Sequence, residues 1–319
     1  MHREPSVLVT GASGLLGKAV VAELSKKVKV IGVSKTGRRP LADALVVGEK
    51  PAIMACDLTK EKLVQQLFKN LNFTLVIHTA AYSDVDGCER HPEWAYAVNA
   101  LATKYLAQAC ASKKIPLVYI STDYVFDGRR TSPYLENYQK LPVNIYGITK
   151  LQGEIWCQHL APIHAIVRTS WLFGAGHDRN FVNTVIGRMR TEKLVRVLDD
   201  QIDSPTYVED LAVCLKKIGE RLVHVSQKNS GKKIHEIFQI CNAGATTRYG
   251  MALKIKEILG FKEVRVKKLL RKDIVGRFAV RPCYTVMSTR RFENFFKFPL
   301  RKWQDSLRAY LSGQKEATA

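Results

Sequence analysis

Through the first half of the chain, apolar residues fall in short unbroken runs that alternate with longer stretches where they recur every three or four positions. The runs "SVLVT", "VKVIGVS", "AIMACD", "TLVIHTAA", "PLVYIS" and "HAIVRTSW" are dense in Val, Ile and Leu and predict strands. Between them, "GASGLLGKAVVAELSKK", "LTKEKLVQQLFKN", "PEWAYAVNALATKYLAQACASKK" and the stretch from Ile145 carry helical spacing, with Thr59 expected as the N-cap of the second. Strands without polar alternation must be covered on both faces. The pattern therefore predicts an α/β fold on a doubly wound parallel sheet.

After Phe173 the rhythm loosens. "FVNTVIGRMRTEK", "VEDLAVCLKKIGERL", "TTRYGMALKIKEILG" and "LRKWQDSLRAYL" are helical in spacing, separated by short β-type pieces such as "VRVLD" and "FQICNAG". No Gly/Ser linker divides the chain. The expected organisation is a dinucleotide-binding Rossmann domain over residues 1–173 and a smaller α/β substrate region over 174–319, with segments passing between them.

The turn after the first strand reads "GASGLLG", from Gly11 through Ser13, Gly14, Leu15 and Leu16 to Gly17. A tight turn, a close backbone approach to a pyrophosphate and close helix packing each ask for glycine there, and the helix N-terminus meets the phosphates. At the end of the second strand, "GVSKTGRRP" has no acid to take a ribose diol. It offers Ser34, Lys35, Arg38 and Arg39, and with Arg38 and Arg39 placed for a 2′-phosphate NADP is the expected cofactor, NAD the alternative.

Further on, "YISTDYVFDG" puts hydroxyls at Ser121, Thr122 and Tyr124 past the carboxyl end of the fifth strand, where open α/β sheets bind ligands. "NIYGITKLQGE" sets Tyr146 and Lys150 four apart at a helix start, on one face, where a phenol and an ammonium serve one small volume. An isolated Y-x-x-x-K is more often an ordinary amphipathic helix start. Its value comes from the company of the glycine turn and the hydroxyl cluster.

Composition narrows the class. With 319 residues, 46% of them apolar, the chain can bury a substantial core. Its apolar runs are too short to span a membrane, and "MHREPSVLVT" has no signal-like apolar segment, so a cytoplasmic protein is expected. The 7 cysteines are scattered, which predicts reduced thiols, and neither they nor the histidines show metal-ligand spacing. The net charge of +21 is concentrated late: after residue 210 stand 24 Lys and Arg against 8 Asp and Glu. That asymmetry attracts anions. Most of these lysines read as solvated helix faces, as in "LKIKEILGFKEVRVKKLLRK", and no recognition signature accompanies them, so nucleic acid is not an expected partner.

Taken together, "VTGASGLLG", "HTAAYSDVDGCERHPEWAYAVNALAT", "YISTDYVFDG", "NIYGITKLQGE", "RTSWLFG" and "DDQIDSPTYVEDLA" resemble the extended short-chain dehydrogenase/reductases, and among them the dTDP-4-dehydrorhamnose reductase family. The resemblance implies NADPH-dependent reduction of a 4-keto-6-deoxy nucleotide sugar. Tyr146 would donate the proton, Lys150 would lower the pKa of the phenol and hold the nicotinamide ribose, and Thr122 would orient the carbonyl. It also implies cofactor contacts at Asp57, Leu58, Ala80, Ala81 and Tyr82 and substrate contacts at Tyr124 and Trp171. Arg281, in the surviving Arg-Pro of "AVRPCYTVMSTRRF", is the expected ligand of the substrate diphosphate. Relatives that dehydrate sugars carry Asp-Glu after Ser-Thr; Asp123-Tyr124 here implies simple reduction. The regulatory subunit of methionine adenosyltransferase shares the pattern, so a non-catalytic NADP-binding subunit is the competing reading. Thr122, "TSW" and "DQIDSPT" favour the enzyme. The sequence leaves the oligomeric state open, a homodimer included.

Overall fold

A computed structural model describes residues 6–35, 52–176, 180–228, 233–274, 276 and 278–316. Arg38 and Arg39 lie outside the described residues. All five residues of β1 (Ser6–Thr10) are buried, which accounts for the missing polar alternation. The chain continues through α1 (Leu15–Leu24), β2 (Val30–Ser34), β3 (Ala52–Ala55), α2 (Glu61–Asn70) and β4 (Phe73–His78). Two short helices, α3 (Val85–Arg90) and α4 (Pro92–Tyr96), lead by a π-helical turn at Ala97–Leu101 into α5 (Ala102–Lys113). Then come β5 (Leu117–Thr122), α6 (Ile145–Leu160) and β6 (Ile163–Thr169).

Beyond these lie β7 (Leu172–Phe173), α7 (Phe181–Thr191), β8 (Leu194–Leu198), β9 (Ile202–Asp203), β10 (Thr206–Tyr207) and the long α8 (Val208–Lys228). The last elements are β11 (Ile234–Gln239), β12 (Thr246–Thr247), α9 (Arg248–Leu259), β13 (Arg265–Leu269), α10 (Arg290–Phe296) and α11 (Trp303–Glu316).

Seven strands form one parallel sheet in the order β11-β6-β5-β4-β1-β2-β3. Successive strands run outward from β1 on one side and from β4 on the other, so the switch point falls between these two. Val7 and Val9 of β1, with Leu75 and Ile77 of β4, face a core closed by α1 and α8. Leu8 and Val76 face the opposite way, into a core closed by α2, α5 and α6. Strand β11 and helix α8 come from beyond residue 173, yet they extend and cover this sheet. A third core, with Val185, Val195, Met251, Ile255 and Leu307, gathers α7, α9, α11 and the β8–β13 pair.

Two local expectations change. Thr59 does not cap α2: position N-cap is Lys60, and the Thr59 hydroxyl and amide donate instead to Asp57 Oδ1 at 2.7 and 3.1 Å. The basic stretch after α9 is not a continued helix face. The helix ends at Gly260, and Arg265–Leu269 pairs in parallel with β8, because Val264 and Val266 turn inward while Arg265 and Lys267 stay outside. Among the described residues no helix is long and apolar enough to cross a membrane.

Candidate active site

A cleft of about 800 Å³ opens at the carboxyl ends of β1, β2, β4 and β5, over the switch point. Gly11, Ser13, Gly14, Leu15, Leu16 and Gly17 line one wall. Gly11 sits at φ +65, and a Cβ there would stand 2.7 Å from the Ala80 backbone. At Gly17 a Cβ would meet Gly11 O at 2.1 Å, so glycine alone lets α1 start this close to the turn. Gly14 N-caps α1 without a side-chain acceptor, which leaves first-turn amides for an anion. This cradle fits a dinucleotide pyrophosphate.

Lys35, Asp57, Leu58, Ala80, Ala81 and Tyr82 continue the same wall. Burial works to raise the Asp57 carboxyl, but the Thr59 hydrogen bonds, with Lys35 and Lys60 nearby, bring it below its ordinary value. Lys35 lies over the Trp94 ring, 4.0 Å from its centroid. Trp94 was not expected in the site; no motif marks it, since α4 carries it in from twelve residues beyond Tyr82.

A buried polar chain ties this wall to α6. Thr10 Oγ1 meets His78 Nδ1 at 2.7 Å, His78 Nε2 meets Thr103 Oγ1 at 3.1 Å, and Thr103 donates to Asn99 O at 2.8 Å. Since the Thr103 proton is used on Asn99, His78 must donate from Nε2 and accept from Thr10 at Nδ1. Burial first, and the Lys150 charge second, push His78 down to about 3, so it stays neutral. Asn99, in the π-helical turn, grips the Tyr82 amide at 2.8 Å and donates to Thr149 Oγ1 at 3.0 Å, next to Lys150.

Tyr146, Lys150 and Thr122 all line the cleft where its two halves join. Asn144 N-caps α6 through a 2.8 Å bond from the Gly147 amide, which fixes where Tyr146 enters the wall. The Thr122 hydroxyl donates to Asp123 Oδ1 at 3.0 Å and accepts from the Tyr124 amide at 3.2 Å. Lys150 Nζ donates to Ile120 O at 2.6 Å and lies 4.3 Å from the Tyr119 ring centroid. Burial pushes this ammonium down to about 7, against a smaller opposing pull from Glu154.

Against the expectation that Lys150 brings the Tyr146 phenol down, burial sets the net direction and raises it above its ordinary value. The ammonium is spent on Ile120 O and is itself desolvated. Behind it, Ser121 Oγ donates to Glu154 at 2.5 Å, and Arg168 binds both Glu154 oxygens at 2.9 and 2.7 Å. This fully buried pair braces the end of β5.

Tyr124 and Trp171 line the second half of the cleft. The Tyr124 hydroxyl accepts from Gln201 Nε2 at 3.0 Å, and its ring meets Tyr146 edge-on at 6.0 Å. Trp171 holds a left-handed φ of +43, a strained backbone of the kind found at functional sites. Arg281 is not brought to the cleft wall. Its Nη atoms bind the Asp86 carboxylate at 2.9 and 2.7 Å, and Asp86 also accepts the Phe278 and Ala279 amides, so this arginine ties down a surface segment. Asp123, Phe181, Asp203 and Arg248 are, with Trp94, among the wall residues that sequence reasoning missed.

A dinucleotide cradle joined to a Tyr, Lys and Thr cluster defines an oxidoreductase of the Rossmann type. Residues 5–315 match the RmlD substrate binding domain family, and the chain belongs to that family. It is 34% identical over 313 residues to the dTDP-4-dehydrorhamnose reductase of Mycolicibacterium smegmatis, covering 98% of this chain and 86% of that protein. The solved dTDP-4-dehydrorhamnose reductase of Clostridium acetobutylicum superposes with a TM-score of 0.84 at 32% identity, over 97% of this chain and 99% of that one. That of Bacillus anthracis, in complex with NADP, gives 0.83 at 31% identity, over 98% and 100%.

Proposed function

We propose that the protein reduces the ketone of a dTDP-linked 4-keto-6-deoxy sugar with NADPH, as a dTDP-4-dehydrorhamnose reductase. The observation that carries this reading is that Tyr146 and Thr122 line the same cleft as the glycine cradle, together with Tyr124 and Trp171. A carbonyl held there lies between a proton donor and the dinucleotide wall. The bound cofactor supplies the hydride to the carbonyl carbon. Tyr146 gives its proton to the carbonyl oxygen; its raised pKa keeps the phenol protonated at neutral pH until charge develops on that oxygen. Thr122 orients the same oxygen. Lys150, on the same cleft wall, is assigned the nicotinamide ribose.

Lys35, with Arg38 and Arg39, is assigned the 2′-phosphate of NADP, and the NADP bound by the Bacillus anthracis relative supports that choice. Six buried free thiols and the exposed Cys283 suit a reducing cytoplasm. The test is NADPH oxidation against a panel of dTDP- and UDP-linked 4-keto sugars. Turnover with the dTDP-4-keto-6-deoxy substrate and none with closed hydroxy sugars is expected. Tight NADPH binding with no turnover on any member would overturn the enzyme reading in favour of a regulatory subunit.

A further inference from the structure

We infer that Arg248, and not Arg281, is the diphosphate-binding arginine of this cleft, held in place by Asp203 and Trp171. The inference rests on the nucleotide-sugar reading given above and names the residue that anchors the anionic half of the substrate.

The cations on the described cleft wall are Lys35, Lys150 and Arg248. Lys150 is buried against Ile120 O, and Lys35 lies at the opposite end, beside Asp57. Arg248 alone stands among Trp171, Phe181 and Asp203, on the substrate side. A small antiparallel pairing of β12 with β9, in which Thr246 opposes Asp203 and Thr247 opposes Ile202, holds the start of α9 near β9, and the Arg248 side chain reaches Asp203 from there.

The guanidinium is oriented but not used up. Its Cζ lies 4.6 Å from the Trp171 centroid and 5.9 Å from that of Phe181, within cation–π range of both rings. Asp203 Oδ2 accepts from Nη1 at a long 3.4 Å, and a guanidinium has five N–H donors in a planar fork. An edge is left for two parallel bonds to phosphate oxygens, and the side chain is 21% exposed, enough to reach an incoming anion. Arg281, by contrast, has both Nη atoms on Asp86.

Two carboxylates nearby would seem to repel a diphosphate. Burial, and for Asp123 also the neighbouring Asp203, raises Asp123 to about 7 and Asp203 to about 6. The Asp203 charge that remains at neutral pH is met by Arg248 Nη1, and the other N–H donors of the guanidinium stay available to the anion.

The experiment is a calorimetric titration of the full-length protein and its variants with dTDP, with thymidine as the uncharged comparison. Arg248→Ala is expected to weaken dTDP about 30-fold or more while moving thymidine less than about 3-fold, the size of losing charge-assisted bonds. Arg248→Lys should recover little of it, because an ammonium cannot fork. NADPH affinity, followed by fluorescence in the same samples, should stay unchanged. Wild-type dTDP affinity in both variants, or a 30-fold loss on Arg281→Ala with none on Arg248→Ala, would overturn the inference. So would failure of dTDP to bind the unchanged protein. Because these titrations need no turnover, a loss at Arg248 in a protein that reduces no 4-keto sugar sinks the catalytic reading alone.

Discussion

The two halves of the cleft are built by different means. The dinucleotide half is backbone and small side chains: a glycine turn, the open end of α1, and Ala80 and Ala81 at the tip of β4. The half proposed for the substrate is long side chains from four separated segments, Tyr124, Trp171, Asp203 and Arg248, with Arg248 held by Asp203 and Trp171 and Tyr124 by Gln201. A site made of backbone depends on conformations that few residues can adopt. A site made of side chains depends on pairings that any compatible set can supply. Sterics fix the shape of the first, whereas the second can be rebuilt from other side chains.

Tyr146 stands where the halves meet, so removing its hydroxyl tests the junction without damaging either side. Tyr146→Phe is expected to lower kcat by about 10³-fold, within the range for loss of a positioned proton donor, with KM for NADPH and substrate nearly unchanged. Single-turnover kinetics check this. Retention of most of kcat would mean that another group carries the proton.

The next largest effect should fall on the dinucleotide half. Gly11→Ala forces a side chain into a left-handed φ of +65 and against the Ala80 backbone at 2.7 Å. NADPH affinity should drop about 100-fold, whereas dTDP binding should change little. If both ligands weakened equally, the halves would not be separable and the comparison would break. A milder cut comes from Arg38→Ala with Arg39→Ala. KM for NADPH should rise about tenfold more than KM for NADH, since only NADPH carries the 2′-phosphate. Equal rises for the two would remove these arginines from the site.

What could be read from the chain follows the same division. Gly11, Gly14 and Gly17 were legible because steric demands on a backbone leave one residue type at each place. Tyr146 and Lys150 were legible because a helix turns a four-residue spacing into a shared face. The unbroken apolar runs announced a sheet covered on both sides, and β1 is buried throughout. Arg248 was not legible: it is one arginine in a basic third of the chain, and only the pairing of β12 with β9 brings it to Asp203. Arg281 misled for the complementary reason, since its partner Asp86 is 195 residues away in sequence. The Tyr146 pKa was misjudged because a spacing argument supplies a nearby ammonium and says nothing of the burial that raises the phenol.

The smallest effect is one of sign, and it separates the halves by pH. Asp57, on the dinucleotide side, has a folded pKa below 3.8, so its contribution to stability is present above that value and is lost as pH falls through the folded value. Asp203, on the substrate side, runs the other way. Burial raises it from 3.8 to about 6, so between those values the native carboxyl keeps a proton that the unfolded chain has released. Stability must therefore fall as pH rises through that window, by something on the order of 1–3 kcal/mol for a group so deeply buried. Asp203→Asn removes this term. Measured by urea denaturation at pH 4, 5, 6 and 7, the variant should gain stability relative to wild type as pH rises, levelling off above about 6, while Asp57→Asn should show no such gain. Asp123, raised to about 7, keeps part of the same slope in the variant, so a reduced slope and not a flat line is expected. A wild-type slope in Asp203→Asn would show that Asp203 is charged throughout, and that the substrate half is held by a full ion pair with Arg248.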